Sequence, residues 1–342
     1  MDASYKIQRG IHVHLIQFFM CPEFWVHITK ALRFIVRQKA VVAILLMLVT
    51  MLFFDTGFYT KYNILDMLNS AAILEIMAFG VTLTIICGGI DFSVGAMMSL
   101  SGIVTIILMR SMPLWCAIAI SILCGALTGF VNGFLIVQHK TEPMIITLGM
   151  GMLLKGIAQQ ITDAHPVPAM NLKFMKLANG KVIAGVPNLI VIMLVMLVLF
   201  HCILRFTSFG RNCYAVGGDY NVAQMSGIHA KRVKWTSFVV SGMMAAFCGV
   251  LLASRLNTGS SIYGDTTALS VNCGCVVGGT SFGGGIGGIP QTFVGVLVLQ
   301  MLENCMNMLG INAYVQQVCE GIIILLILWF DCYAKKKKAQ AV

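Results

Sequence analysis

Charge is scarce in this chain. Lys, Arg, Asp and Glu make up 11% of its 342 residues, and only 13 residues are acidic. Soluble domains carry about 25% charged residues, so a pair of soluble domains, which the length alone would allow, is excluded. A phosphate-cradling G-x-x-x-x-G-K-[ST] loop is also missing, so the chain has no nucleotide site of that kind. Gly283, Gly285 and Gly288 satisfy G-x-G-x-x-G, but they sit in a glycine run with no strand before them, and the match carries nothing. The 12 cysteines contain no C-x-x-C; Cys273 and Cys275 form C-x-C inside an apolar run. They read as small hydrophobes, not as a disulfide frame or zinc site. His12 and His14 lack a third ligand, and no Ser/His/Asp set is placed for nucleophilic attack. A chain of this kind is expected to be no enzyme and to hold no metal or cofactor.

What is present is apolar: 58% of residues are hydrophobic. Apolar segments fall near 40–54, 64–87, 92–109, 114–137, 143–161, 187–205, 235–254, 265–281, 290–309 and 314–331. A straight membrane span needs about twenty residues. The first segment is short, and the eighth is short and interrupted by glycine. The expected fold is an all-α polytopic membrane protein of about ten spans, some broken. The net charge of +10 would suit nucleic acid, but its distribution points to membrane topology. With a cytoplasmic N-terminus, 16 Lys/Arg fall in inside segments and 6 in outside ones, and Lys155 lies within a span. Cytoplasmic loops carry the excess of Lys and Arg. Both ends are basic, so the number of crossings is even and both termini lie inside.

Three regions follow from this pattern: a basic cytoplasmic segment over 1–39, a transmembrane domain over 40–331, and a basic cytoplasmic tail over 332–342 carrying "KKKK". No cleavable signal peptide is expected. Phe24, Ile28, Leu32 and Ile35 recur at helical spacing beside Lys30, Arg33 and Arg37. They read either as a helix lying at the lipid headgroups or as an ordinary lead-in to the first span. The longest outside loop runs over 162–186, and the longest inside loop between spans over 206–234. In the inside loop Asp219 can cap a short helix from Tyr220 to Ser226, and Gly227 can end it. It is either a docking handle for a cytoplasmic partner or a solvated loop.

Glycine falls into two groups. Gly125, Gly129 and Gly133 share one helix face, and Ala245, Gly249 and Ala253 share another. Helices in lipid associate by close packing, which small residues permit. The stretch "CGGIDFSVG" at 87–95 needs another reason. Asp91 follows two helix-stopping glycines and can cap a helix starting at Phe92, with Ser93 helping. "YGDTTALSVNCGCVVGG" repeats the logic: Asp265 or Thr266 caps, about a dozen helical residues follow, and Gly278 and Gly279 break. Such a helix covers about 20 Å of an apolar thickness of about 30 Å. Irregular backbone at membrane depth survives only where protein or a water-filled path satisfies it, and broken helices often line transport routes. Each break reads as a restart beside a translocation path or as a cytoplasmic turn. Glu75, Lys155, Glu303 and Glu320 fall inside spans, where ionisable residues are functional candidates; Glu320 and Lys155 also fit positions near a helix end that reach water.

Four stretches, in order, resemble the membrane-spanning permeases of ribose-type ABC importers. They are "GGIDFSVGAMMSLSG" at 88–102, "FGRNCYAVGGDYNVAQMSGI" at 209–228, "VVGGTSFGGGIGG" at 276–288 and "NCMNMLGINAYVQQVCEGIIILLILWFD" at 304–331. The resemblance covers residues 40–331. Two departures stand out: Ile286 stands where that family often has a basic residue, and Glu303–Asn304 where it often has paired asparagines. The resemblance implies a multi-pass protein of the inner or plasma membrane that moves a monosaccharide, a ribose-like pentose or hexose. It implies a second permease copy or close paralogue, a cytoplasmic ABC ATPase that binds the ATP, an extracytoplasmic sugar-binding protein, and no nucleic acid. Asp219, Tyr220, Asn221, Ala223, Ser226 and Gly227 would couple to the ATPase. Glu75, Gly88, Gly89, Asp91, Ser93, Asn272, Gly279, Thr280, Ser281, Glu303 and Asn304 would sit along the path. Two other transporter classes compete. In an ion-driven secondary transporter Glu75 and Glu303 would carry protons. In a branched-chain amino-acid ABC permease the plan is shared, but GGID and GGTS resemble the sugar branch more closely.

Overall fold

A computed structural model describes residues 39–54, 57–183 and 185–339. The headgroup-helix reading over 24–35 and the last three residues of the tail lie outside them. Ten helices take up the ten apolar segments: α1 (Lys39–Met51), α2 (Lys61–Ile86), α3 (Val94–Leu108), α4 (Leu114–His139), α5 (Pro143–Thr162), then, after a short outer helix α6 (Leu172–Asn179), α7 (Asn188–Phe206). α8 (Ser208–Gly218) and α9 (Tyr220–Met225) occupy the loop over 206–234, and α10 (Ala230–Leu256), α11 (Thr267–Val277), α12 (Ile289–Met308) and α13 (Ala313–Ala339) follow. α2, α4, α5, α7 and α10 are each long and apolar enough to cross a membrane; α3 and α11 are shorter apolar helices. Two differences from the sequence reading appear. The loop over 206–234 is largely helical, and α13 carries its helix through the basic run at 335–338.

Helix ends follow local chemistry. Thr60 caps α2 by accepting from the Asn63 N–H, Asn171 caps α6, and Pro143 opens α5, where its missing N–H costs nothing. α10 and the inner part of α2 form the centre, with Met77, Phe79, Leu83 and Ile86 fully enclosed. Both expected small-residue faces are helix contacts. A Cβ on Gly125 or Gly129 would meet the Gly242 or Phe238 carbonyl of α10 at 2.3 and 2.2 Å, and one on Gly249 would meet the Met98 carbonyl of α3 at 2.0 Å. Outer faces of α4, α5 and α7 stay apolar and exposed, with Leu123, Met152 and Val195 among them, as helices facing hydrocarbon require.

Contacts between distant segments sort into two ends. At one, Val167–Pro168 pairs antiparallel with Thr258–Gly259, Asn179 donates to the Ser254 and Arg255 carbonyls, and Arg255 pairs with Asp66 at 3.1 Å. At the other, the turns after α2 and α11 meet α8.

Candidate functional site

The turn after α2 is a buried polar knot. Gly88 has φ +71°, a conformation open to glycine. Asp91 is fully buried; its Oδ1 accepts from the Ser93 N–H (3.0 Å) and Ser93 Oγ (2.6 Å), and its Oδ2 accepts from Ser241 Oγ of α10 (2.8 Å). Asn132 of α4 donates to Ser93 Oγ at 2.9 Å, and Asn272 of α11 donates to the Asp91 carbonyl at 3.0 Å. The sequence expected Asp91 to cap a helix at Phe92. The helix starts at Val94 instead, and Ser93, its N-cap, makes no side-chain capping bond. A buried carboxylate takes the strongest donors within reach, and here two hydroxyls outcompete the helix end. Asp91, Ser93 and Asn272 thus tie α3, α4, α10 and α11 together.

The second break is a half-length helix. Between Gly259 and α11 the chain runs as irregular backbone along α3, with Ser260 and Ser261 buried and the Gly264 N–H donating to Ser99 Oγ at 2.9 Å. α11 has 11 residues, about 16 Å at 1.5 Å each. Neither expected cap acts as one: Thr266 makes no side-chain capping bond, and Asp265 forms an ion pair with Lys155 at 2.7 Å. Lys155 thus has an ion-pair partner on the neighbouring segment, and both side chains stay partly exposed.

After α11 the glycines converge. The Gly285 N–H donates to the Ile86 carbonyl at 2.9 Å, and Lys234 Nζ donates to the Gly88 carbonyl at 3.2 Å. Gly217 and Gly218 of α8 lie against Gly284 and Gly285; a Cβ on Gly217 would meet the Ile86 carbonyl at 1.7 Å. Tyr214 of α8 donates to the Gly287 carbonyl at 2.8 Å. Burial first, and then the adjacent Cys213 thiol, push the Tyr214 phenol above its ordinary range, so it stays a donor. Gly88 thus meets Gly284 beside α8, whereas Gly89 packs on Phe238 of α10; Gly279, Thr280 and Ser281 begin the same turn, and Thr280 reaches Thr292, which bonds Thr82 at 2.8 Å. The sequence reading missed α8 as the meeting place; the Gly217–Gly218 pair before Asp219 was its only sign.

Beyond α8 projects the six-residue helix α9. Asp219 Oδ1 accepts from the Asn221 and Val222 N–H groups at 2.8 and 2.9 Å, and Gly227 leaves the helix at φ +83°, as the sequence suggested. Tyr220 and Ala223 pack inward, Asn221 and Ser226 face out, and Val222 and Met225 are 59% and 88% exposed.

At the opposite end a cavity of about 330 Å³ opens between α2, α10, α12 and α13. Arg255 lines it, holding Asp66 and donating to Ser70 Oγ at 2.9 Å. Its walls include Gln300, Glu303, Asn304 and Glu320, and Thr266 and Thr267 bring the uncapped start of α11 to it. Gln300 Nε2 donates to Glu303 Oε2 at 2.8 Å, and Asn304 exchanges two 3.0 Å bonds with Asn63. Of the candidate path residues, Glu303 and Asn304 line this cavity. Glu75 does not, although its neighbours Ile73 and Leu74 do. It is fully buried, and neither carboxylate oxygen has a hydrogen-bond partner among the described residues. Glu320 of α13 is half-buried and lines the cavity.

The family described as branched-chain amino acid transport system / permease component matches residues 63–328. A ribose import permease protein of Bacillus subtilis is 35% identical over 299 residues, covering 86% of this chain and 91% of the relative. One of Haemophilus influenzae is 32% identical over 90% of this chain and 96% of its own length. An L-arabinose transport system permease protein of Escherichia coli is 32% identical over 83% of this chain and 87% of its own. No solved structure matches.

Proposed function

Because the chain belongs to the family described as branched-chain amino acid transport system / permease component, we propose that it is the membrane-spanning permease of an ATP-driven importer of a monosaccharide. Relatives at 31–35% identity that carry ribose and L-arabinose support the sugar over an amino acid. The outer cavity offers such cargo amides, carboxylates and hydroxyls as donors and acceptors for a ring of hydroxyl groups, set beside apolar wall residues such as Ile73, Leu252 and Leu299. The protein is a multi-pass membrane protein, and its importer supplies an ATPase and a binding protein. Ten crossings, both termini in the cytoplasm, ATP held only by the ATPase, and pairing with a second copy or a close paralogue belong to this proposal.

The contact of α8 with both helix breaks carries the mechanism. The helix α9 presents Val222 and Met225 to the ATPase. When ATP closes the ATPase, α9 and α8 move as one capped unit. Gly217, Gly218 and Tyr214 pass that movement to the turns at 87–91 and 279–288. Those turns end α2 and α11, whose other flanks meet the outer cavity. One push thus opens the inner end as the outer end closes. Asp219 and Gly227 keep the handle rigid; Glu303 and Asn304 meet the sugar.

Reconstitution tests this. Proteoliposomes holding the permease and its ATPase, given the binding protein outside and ATP inside, should take up labelled ribose or arabinose and not leucine. Uptake driven by an ion gradient without ATPase would overturn the reading in favour of a secondary transporter.

A further inference from the structure

We propose that a groove where α4 ends and α10 begins holds the headgroup phosphate of an anionic phospholipid. The groove encloses about 530 Å³. Phe134 and Gln138 of α4 form one wall, and His229, Lys231, Arg232 and Trp235 form the other. Lys231 and Arg232 are exposed, and no ion pair engages either among the described residues. No Asp or Glu contributes to the lining described. His229, the N-cap of α10, makes no side-chain capping bond, and the Ala230 N–H is taken by the Ile228 carbonyl at 2.8 Å, which leaves the next N–H groups, of Lys231 and Arg232, for an oxygen acceptor.

The apolar wall is built and fixed. Trp235 packs against Phe130 and Phe134 with ring centroids 4.4 and 6.2 Å apart, and its Nε1–H donates to the Phe130 carbonyl at 2.8 Å. Phe130 and Phe134 remain 45% and 46% exposed. Phe134 and Trp235 each lie five residues inside their helix ends, about 7 Å down. That is the headgroup–acyl boundary, where Trp concentrates and where Lys and Arg at the rim meet phosphate. The charge and the aromatic surface lie one above the other, as the phosphate and acyl chains of a single lipid do. A soluble acidic partner would match the rim but not the aromatic wall beneath it. The groove borders the ATPase handle at Gln224 and Gly227, while the exposed Val222 and Met225 lie outside it.

The test uses the full chain in nanodiscs of zwitterionic phosphatidylcholine, into which phosphatidylglycerol is titrated, with bound lipid read by native mass spectrometry. Phosphatidylglycerol should be retained, and K231Q/R232Q should weaken it about thirtyfold, each single change about fivefold. The singles supply the measurement if the double variant does not fold. K173Q/K176Q, which removes two exposed charges at the opposite end, should bind as the parent does. Three results overturn the proposal: unchanged binding in K231Q/R232Q, displacement of the lipid by inorganic phosphate, or retained lipid with loss of ATPase co-purification in K231Q/R232Q.

Discussion

Asp91 shows how a single buried carboxylate departs from its local role. As a helix cap its removal would cost about 1 kcal/mol. It instead accepts from one N–H and two hydroxyls, all enclosed, and buried donors left unpaired cost about 1–3 kcal/mol apiece. Asp91→Ala is expected to lower unfolding stability in detergent by about 3 kcal/mol; a loss near 1 kcal/mol would restore the capping role. Tyr214 tests a contact of the transmission. Tyr214→Phe keeps the ring and removes the bond to Gly287. It should lower sugar uptake per ATP hydrolysed while costing about 1 kcal/mol of stability. The folded phenol titrates above its unfolded value. Its contribution is therefore complete below the ordinary tyrosine range and fades as pH rises through the folded value. The difference between parent and variant should hold through neutral and mildly alkaline pH and shrink only in strong alkali. A difference that vanishes near neutrality would contradict the burial of the hydroxyl.

Among elements, α8 and α9 divide the problem. Gly217→Val puts carbon where the Ile86 carbonyl already is, and backbone cannot yield. It should abolish folded protein or uptake. Gly227→Val meets open space but a left-handed backbone. It costs about 1–2 kcal/mol, which should leave the protein in the membrane yet raise ATP hydrolysis per sugar moved. Normal coupling in that variant removes the handle from the mechanism. These elements also mark how far sequence could be read. Each apolar segment became a helix, and Asp219 and Gly227 bounded α9 as composition suggested, because caps and hydrophobic runs are local. α8 was hidden, since "SFGRNCYAVGG" is glycine-rich and only packing against α2, α7 and α10 makes it helical. The cavity was half visible: Glu303 and Asn304 announce themselves by polarity inside a span, while Asp66, Ser70 and Arg255 join them through pairings no local pattern encodes.

For the molecule as a whole, the polar cavity and the glycine junction lie at opposite ends, and α2 and α11 run between them. On the proposed route a sugar enters at the cavity and leaves past the glycine junction, so the two ends must not be open together. Glu303→Leu with Asn304→Leu removes hydrogen-bonding groups from the cavity. It should slow uptake about tenfold, roughly one lost bond of 1.4 kcal/mol, with ATPase assembly intact; unchanged uptake would place the route elsewhere. Everything rests on α9 facing the cytoplasm and being gripped there. In a cysteine-depleted chain, Met225→Cys should react with a membrane-impermeant maleimide in inside-out vesicles and not in intact cells, and bound ATPase should protect it. Labelling in intact cells, or reaction unaffected by the ATPase, would contradict it.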